Sequence, residues 1–370
     1  MASTIEKKQI FIEGVNIENL PVEGYEKVLK ITHKPSKLTA IIAIHDTTLG
    51  PALGGTRIYP YKTFDDALKD ALRLAKGMTY KSAVAEVGYG GGKSVIIADP
   101  KTDKTDELLH AFGTAVEMLC GEYIAAEDVG CSVADVVKMN EVTQYVTGIP
   151  KGSGDPGYFT AWGTCRSIQA TCQHLWGTDS VEGKTVLIQG LGNVGMYLAE
   201  YLFWHGANLI VSDIDQSKVD YAIKRYQATA IAPEEVYSYS CDIYAPCALG
   251  GVINKKTVPL FQCKAVVGAA NNQLDTDEDA DALSERGIYY APDFVVNAGG
   301  LLNVASELER DGYSPKNARK KTNKIYDSII AIYKIAEKNK VPTHRAAVSL
   351  ADYRIKYRIG MRIEKPYFHR

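Results

Sequence analysis

The sequence has few of the residue patterns that hold metal ions or disulfide frameworks. Its 370 residues include only seven cysteines, which are odd in number and form no CxxC spacing. The seven histidines form neither an HxxxH nor an HxH pair. We therefore expect no metal site, and we interpret the cysteines as reduced, buried thiols of a cytoplasmic protein.

Long apolar runs and an excess of one charge are also lacking. No run of roughly 18 apolar residues occurs, and the polar residues 1–8 precede no hydrophobic signal segment, so we expect neither a membrane span nor secretion. The 42 Lys and Arg residues nearly balance 44 Asp and Glu, which leaves a net charge of −2. Because this balance creates no field that attracts nucleic acid or an anionic membrane, the expected partner is a small molecule.

What is present is typical of a globular α/β protein. At about 150 residues per domain, the length predicts about two domains. Apolar runs at 37–42 and 95–98 predict strands, and apolar residues at helical spacing predict helices at 63–76 and 105–119. Threonines can cap both helices, and glycines at 77 and 121 are predicted to end them. The first third of the chain is therefore an α/β module.

The segment from 185 to 213 predicts a dinucleotide-binding turn. An apolar strand at 185–189 runs into the sequence GLGNVG, which opens a helix at 194–205, and a second strand at 209–212 ends at Asp213. Gly190 permits a tight turn, Gly192 lets a pyrophosphate approach the backbone, and Gly195 lets helix and strand pack closely. Asp213 is placed to bind an adenosine ribose. A glycine-rich turn in another doubly wound protein is the alternative.

Later segments continue the same sheet. Short apolar runs at 243–246, 265–268 and 288–291 are each followed by small or amide residues. Because ligands bind beyond the carboxyl ends of parallel strands, Asn271 is predicted to bond a ligand there, with a turn-capping role as the alternative. The segment 146–161 contains four Gly and two Pro and predicts an interdomain hinge or a ligand-facing loop.

Lys93 follows three glycines and precedes the apolar sequence SVII. A phosphate loop is excluded because Val87 occupies the position of the first glycine of that motif. A lysine desolvated at such a site, near a second ammonium such as that of Lys81, loses basicity and can act as a general base. A surface cation is the alternative.

Nine segments in order along residues 40–305 resemble the glutamate/leucine/phenylalanine/valine dehydrogenase family, most of all its leucine dehydrogenases. These segments are LGPALGGTR (49–57), LAKGMTYKSA (74–83), GGGKSVI (90–96), AAEDVG (125–130), GSGDP (152–156), GLGNVG (190–195), APCALGG (245–251), GAANNQL (268–274) and APDFVVNAGGLLNVA (291–305). One departure is visible, since Gly157 stands where leucine dehydrogenases usually have a serine.

The resemblance implies reversible, NAD-dependent oxidative deamination of an L-amino acid to a 2-oxo acid and ammonium. It implies that Lys93 is the catalytic lysine, that Asp128 shuttles protons, and that Lys81 binds the substrate carboxylate. Gly54 and Gly55 would line the substrate site. The implied cofactor residues are Gly190, Gly192, Asn193, Val194, Gly195, Asp213, Thr160, Ala248 and Asn271.

The resemblance also bears on the substrate. Glutamate-specific relatives carry a lysine where this chain has Leu53, and the other implied pocket residues are Ala126, Leu301 and Val304, all apolar. An unpaired glutamate carboxylate is costly to bury there, which favours leucine and other branched-chain substrates. Phenylalanine, tryptophan and valine dehydrogenases are the alternatives, and a non-catalytic NAD-binding regulator is a less favoured one.

For the architecture, the resemblance implies a homo-oligomer of two-domain subunits. We expect an α/β substrate domain and a Rossmann-type, doubly wound dinucleotide-binding domain, separated by a cleft. The predicted bounds are 1–147 with 335–370 for the substrate and oligomerisation domain, and 148–334 for the NAD-binding domain.

Overall fold

The computed structural model describes residues 12–149 and 152–368, so the polar residues 1–8 considered above lie outside the described residues. The chain forms two compact units. Unit 1 extends to Gly154 and adds Val304–Tyr313 and the segment from Ile355 onward, and unit 2 comprises Asp155–Asn303 and Ser314–Arg354.

Unit 1 is built on a mixed sheet. Its strands, within the described residues, are β1 (Asn16–Asn19), β2 (Lys27–His33), β3 (Leu38–Asp46), β4 (Ala52–Tyr59), β5 (Gly90–Ile97) and β6 (Tyr123–Glu127), in the order β1-β2-β3-β5-β4-β6. The first three strands are antiparallel to their neighbours, whereas β5, β4 and β6 are mutually parallel. The carboxyl ends of these three strands therefore meet at one edge of the sheet.

Helices cover both faces of this sheet. They are α1 (Phe64–Val84), α2 (Asp106–Met118) and α3 (Val133–Met139). Alternation along β3 sends Ile41 into a core with Ala71 of α1, and Ile42 into a core with Phe112 of α2. The side chains of Thr63 and Thr105 cap α1 and α2, which confirms the predicted starts of both helices.

Three predicted boundaries in unit 1 are wrong. The strand predicted at 37–42 continues to Asp46, because Ala43 and Ile44 are buried and pair with Lys93 and Gly92 of β5. Helix α1 does not end at Gly77 but continues to Val84, because Thr79, Ala83 and Val84 are buried against the sheet and stabilise the extra turns. Strand β5 begins at Gly90 rather than at residue 95, because its glycines fit where side chains would not. A Cβ at Gly91 would lie 2.1 Å from the backbone nitrogen of Thr79.

Unit 2 contains the predicted doubly wound sheet. Its strands, among the residues described, are β7 (Thr185–Gln189), β8 (Asn208–Ser212), β9 (Thr229–Ala230), β10 (Ile243–Pro246), β11 (Ala265–Val266) and β12 (Tyr289–Tyr290). They pair in the order β12-β11-β10-β7-β8-β9, and every pairing is parallel. The strand order reverses between β7 and β10, which is the point where such sheets bind ligands.

The helices that begin in unit 2 are α4 (Gly157–Trp176), α5 (Asn193–Trp204), α6 (Gln216–Tyr226), α7 (Glu278–Glu285), α8 (Asp293–Val296), α9 (Gly299–Ala305), α10 (Pro315–Asn339) and α11 (Thr343–Lys356). Helix α10 packs along α4, where the buried hydroxyl of Tyr333 lies 2.8 Å from that of Thr171. Residues 335–354 belong to unit 2. The predicted functional bounds, 1–147 with 335–370 and 148–334, differ from the units here and stay a prediction.

The glycine- and proline-rich segment 146–161 is tied down at its start. The carboxylate of Glu307 accepts hydrogen bonds from Thr147 Oγ1 at 2.9 Å, the Gly148 nitrogen at 2.8 Å and Ser153 Oγ at 2.7 Å. Residues 150 and 151 lie outside the described residues. The carboxylate of Glu307 thus holds residues on both sides of positions 150 and 151, and all of these residues belong to unit 1.

Gly54→Ala is expected to lower the thermal unfolding midpoint. A Cβ at Gly54 would lie 1.8 Å from the Gly92 carbonyl oxygen, and overpacking of this kind costs typically about 1–3 kcal/mol. Gly77→Ala is the matched control, since nothing lies within 4 Å of its Cβ and alanine favours a helix interior by roughly 0.5–1 kcal/mol. Calorimetry should show opposite shifts, and equal midpoints for the two variants would contradict the β4–β5 spacing.

Candidate active site

Lys93 is a buried lysine in the middle of the unit 1 sheet. Lys93 is only 5% exposed to solvent, and its ammonium nitrogen lies 2.9 Å from Asp128 Oδ2. Lys93 belongs to β5, whereas Asp128 directly follows β6, and β4 runs between these two strands. The lysine side chain must therefore pass over β4 to reach its partner.

Gly55 of β4 makes this crossing possible. A Cβ on Gly55 would lie 3.2 Å from Lys93 Nζ and 2.8 Å from Asp128 Cβ. Gly54, also on β4, has a different role. Because it has no side chain, the carbonyl group of Gly92 on the neighbouring strand β5 can approach β4 closely. The structure thus brings together the predicted pair, Lys93 and Asp128, with Gly55 against both.

The backbone of a tight turn fixes Asp128. Asp128 and Cys131 exchange backbone hydrogen bonds of 2.9 and 3.3 Å, and the Ile58 nitrogen donates to the Val129 carbonyl at 2.9 Å. Gly130 adopts a φ of +77°, and a Cβ there would lie 2.0 Å from the Ile58 carbonyl oxygen. The glycine of the EDVG sequence is therefore required by the turn that presents the carboxylate.

Arg57 is a member of the cluster that the sequence analysis missed. Its Nε donates to Asp128 Oδ2 at 3.0 Å, and its Nη1 donates to Asp70 Oδ2 at 2.8 Å. The signal was available, because residues two apart on a strand share a face and Arg57 lies two residues after Gly55. The sequence could not show that the turn after β6 and helix α1 place the carboxylates of Asp128 and Asp70 on either side of the guanidinium.

The electrostatics of the pair favour proton exchange. Burial lowers the pKa of Lys93, an effect to which Arg57 adds and which Asp128 partly offsets. Burial alone would raise the pKa of Asp128, but Lys93 and Arg57 outweigh it and hold that pKa below its usual value. A lysine with lowered basicity beside an ionised carboxylate can act as a general base. The effect predicted for the charge of Lys81 stays a prediction.

The other predicted substrate residues occupy separate elements. Lys81 lies in the last turn of α1, two residues after the Thr79 that packs on Gly91. Leu53 is buried in β4, and Ala126 is half-buried in β6. Leu301 and Val304 are half-buried residues of α9, the first in unit 2 and the second in unit 1.

The predicted dinucleotide turn has the expected glycine geometry in unit 2. Gly190 adopts a φ of +95°, and a Cβ on Gly195 would lie 1.9 Å from the Gly190 carbonyl oxygen. Nothing lies within 4 Å of a Cβ on Gly192, so the space in front of this residue is open to a ligand. Asn193 and Val194 begin α5 beside it, where free backbone N–H groups favour phosphate.

Asp213 closes this turn from the next strand. One of its oxygens accepts the Leu191 N–H at 2.5 Å, and the other accepts the Asp215 N–H at 2.8 Å. The carboxylate is therefore held at the carboxyl end of β8, next to the glycine loop. Ala248 lies against Gly190, with its Cβ 2.7 Å from the position that a Cβ on Gly190 would take.

Asn271 has a partner that the sequence analysis did not single out. Asn297, which is buried, donates its side-chain N–H to Asn271 Oδ1 at 2.7 Å and to the Ala269 carbonyl at 3.2 Å. The exposed Asn271 amide is thereby turned so that its own NH₂ group can donate to a ligand. Only its place in the VVNAGG sequence could have pointed to Asn297.

The start of α4 explains the departure at Gly157. Its nitrogen donates to Asp155 Oδ1 at 2.8 Å, and a Cβ there would lie 2.9 Å from the same oxygen. Thr160, one turn later, bonds the Pro156 carbonyl at 3.0 Å and lies against Gly300, where a Cβ would approach its hydroxyl to 2.6 Å. Gly157 therefore fits the turn at the start of α4, because a side chain at this position would crowd the Asp155 carboxylate.

The described residues hold neither a metal-binding cluster nor a helix of membrane-spanning character. In the described parts of the chain, no three His, Cys, Asp or Glu side chains form a group able to hold a metal ion. None of the helices there is long and apolar enough to cross a membrane. The seven cysteines are free thiols.

Two family models match the chain over the regions that carry these sites. Residues 26–145 match the dimerisation domain of Glu/Leu/Phe/Val dehydrogenases, and residues 152–219 and 211–358 match the Glutamate/Leucine/Phenylalanine/Valine dehydrogenase model. The chain belongs to the glutamate/leucine/phenylalanine/valine dehydrogenase family. It is thus an amino-acid dehydrogenase, and the family resemblance and the two-domain α/β fold expected from the sequence are confirmed.

Relatives with different named substrates are similarly close. A leucine dehydrogenase of Geobacillus stearothermophilus is 49% identical over 334 residues, which cover 90% of each chain. A phenylalanine dehydrogenase of Lysinibacillus sphaericus is 46% identical, covering 88% of this chain and 87% of that one. The crystal structure of L-tryptophan dehydrogenase from Nostoc punctiforme superposes with a TM-score of 0.84 at 44% identity, covering 90% and 97% of the two chains. Dehydrogenases named for three different amino acids are thus similar to this chain to nearly the same degree, so the similarity alone does not identify its substrate.

Proposed function

We propose that this protein catalyses the reversible, NAD-dependent oxidative deamination of an apolar L-amino acid, with leucine and the other branched-chain amino acids favoured. The observation that carries the proposal is the buried Lys93 ammonium held 2.9 Å from Asp128 across Gly55. A lysine whose pKa is lowered by burial is the general base that such a reaction needs near neutral pH.

The proposed chemistry divides the proton transfers between two groups. Bound NAD would supply the acceptor for the hydride that leaves Cα of the amino acid. Neutral Lys93 then removes a proton from the water that attacks the oxidised substrate, and the products are a 2-oxo acid and ammonium. Asp128 exchanges protons with the amine and with Lys93, and Lys81 binds the substrate carboxylate by charge.

The dinucleotide-binding turn of unit 2 supports NAD as the cofactor. Gly192 offers open space at the start of α5, and Asp213 stands at the end of β8, where a ribose hydroxyl would bind. Asn271, oriented by Asn297, would donate to the nicotinamide carboxamide. Thr160, Ala248, Asn193 and Val194 complete the residues we assign to the cofactor.

An apolar substrate is supported by the residues next to the pair. Leu53 is uncharged and precedes Gly54 and Gly55 on β4, and Ala126 is paired with Gly55 in the β4–β6 register. Neither side chain could partner a substrate carboxylate. We extend this assignment to Leu301 and Val304.

A homo-oligomeric assembly in the cytoplasm is part of the same proposal. The homo-oligomer is supported by the family model matched to residues 26–145, whose description names a dimerisation domain. A non-catalytic NAD-binding regulator is disfavoured because Lys93, Asp128, Lys81 and Asn271 are all present.

Lys93→Ala is expected to lower kcat by several orders of magnitude while the fold and NAD affinity are retained, because the general base is lost. Lys81→Ala should chiefly raise KM for the amino acid, and Asp128→Asn should resemble the Lys93 variant. Steady-state kinetics and NAD titration measure these effects, with Lys69→Ala, an exposed charge on α1, as the control. Near-normal turnover by Lys93→Ala would refute its role.

NAD is expected to be preferred over NADP by roughly 100-fold or more in kcat/KM, because the 2′-phosphate would meet Asp213 and Asp215. Asp213→Ala should narrow this ratio. Asp220→Ala, which removes a charge from α6 that bonds Gln216, is the control. Equal kcat/KM for both cofactors in the unaltered enzyme would place Asp213 away from the ribose.

A panel of L-amino acids with NAD, followed by absorbance of the reduced nicotinamide, tests the substrate. We expect leucine, isoleucine and valine to react fastest, since each buried methylene contributes about 0.8 kcal/mol until the pocket is full. Fast turnover of glutamate would refute the apolar pocket. Preference for phenylalanine or tryptophan would refute only the ranking.

A further inference from the structure

We propose that Arg57 is a positioning residue for this reaction, holding Asp128 beside Lys93 and anchoring the pair to α1 through Asp70. The inference rests on the proposed function. Arg57 is not itself assigned to contact the substrate or the cofactor, and it acts through Asp128.

The first support is the way the two oxygens of Asp128 are used. Oδ2 accepts from Lys93 Nζ at 2.9 Å and from Arg57 Nε at 3.0 Å. Within the described residues, Oδ1 makes no hydrogen bond. One oxygen is therefore fixed by two cations, and the other is left to exchange a proton with a substrate amine.

The second support is that Arg57 is itself held from the opposite side. Its Nη1 donates to Asp70 Oδ2 at 2.8 Å, and the Tyr61 hydroxyl donates to the same oxygen at 2.5 Å. Arg73 bonds the other oxygen of Asp70 at 2.9 Å. Because a guanidinium is planar, these two carboxylates fix its orientation as well as its position.

The side chains of the cluster are largely shielded from solvent, so their ion pairs are less screened than pairs on the open surface. The side chains of Arg57, Asp70 and Asp128 are 20%, 17% and 24% exposed. Ion pairs on open surface contribute little because water and salt screen them, whereas partly buried pairs with several hydrogen bonds hold their partners in place. A lysine at position 57 could not donate to both carboxylates from two fixed nitrogens.

Arg57 also bears on the proton affinity of the pair. The charged groups that act on Lys93 and Asp128 are each other, Arg57 of β4 and Asp70 of α1. Tyr61 contacts Asp70, and Glu127, Cys131, Lys104 and Asp135 of α3 lie on the side of the turn that follows β6. Of these, the positive charge of Arg57 disfavours the ammonium form of Lys93 and favours the carboxylate form of Asp128. Without it, both groups bind protons more tightly.

The test compares Arg57→Met, Arg57→Lys and the control Arg73→Met in the full-length enzyme. We expect Arg57→Met to lower kcat for leucine oxidation about 100-fold, the size of loss that follows misplacement of a catalytic group. The acidic limb of kcat/KM should move to higher pH by about half to one unit, because Lys93 must lose its proton to act. NAD affinity should stay unchanged.

The variants Arg57→Lys and Arg73→Met separate two effects of Arg57, the positioning of Asp128 and the contribution of its positive charge. Unfolding measurements separate both from a loss of folding. Arg57→Lys keeps the charge, so the acidic limb should stay within a few tenths of a pH unit of the unaltered enzyme while kcat falls about 10-fold. Arg73→Met removes a cation from the same Asp70 but not from Asp128, and its kcat should stay within about twofold. Unfolding midpoints identify any variant that merely fails to fold.

The outcomes are distinct. An unaltered kcat and pH profile in Arg57→Met overturns the inference while the proposed function stands. If Arg57→Met does not fold, Arg57→Lys decides, and kcat equal to that of the unaltered enzyme overturns the inference. If the unaltered enzyme fails to reduce NAD with every L-amino acid tested, the proposed function and this inference are overturned together.

Discussion

The contact between Lys93 and Asp128 is the constraint on which much of unit 1 depends. Taking an ammonium out of water is costly unless a carboxylate meets it with good geometry. Lys93 lies on β5 and Asp128 directly follows β6, and these strands are not neighbours, so β4 between them must leave room at the crossing point. Gly55 leaves that room, and a Cβ there would be 3.2 Å from the ammonium. A larger residue would force atoms of the turn that presents Asp128 to shift, because its Cβ would lie 2.8 Å from Asp128 Cβ.

The same kind of close approach recurs in unit 2. A Cβ on Gly299 would lie 1.9 Å from the Phe159 carbonyl oxygen, and Gly300 meets the Thr160 hydroxyl, so α9 packs against the start of α4 by backbone contact. In the dinucleotide turn, Gly195 meets the Gly190 carbonyl in the same way. Glycines here set the separation of whole elements, and the polar side chains then occupy fixed places.

Local signals were sufficient where an element depends mainly on its own residues. Strands β7 and β10 have the predicted bounds, and the threonine caps of α1 and α2 are confirmed. The end of α1 and the start of β5 were wrong because distant contacts decide them. Arg57 and Asn297 were missed because their partners come from other elements. The substrate preference depends on the depth of a pocket, which residues from several elements set together, so local sequence signals do not encode it.

The charges around Asp128 alternate in sign, from Lys93 through Asp128 and Arg57 to Asp70. A proton that passed from Lys93 to Asp128 would turn an ion pair into two neutral groups, and the total charge of the row would stay the same. The change in field at the surrounding sheet would therefore be that of a dipole about as long as the 2.9 Å contact, which falls off with distance faster than the field of a single charge.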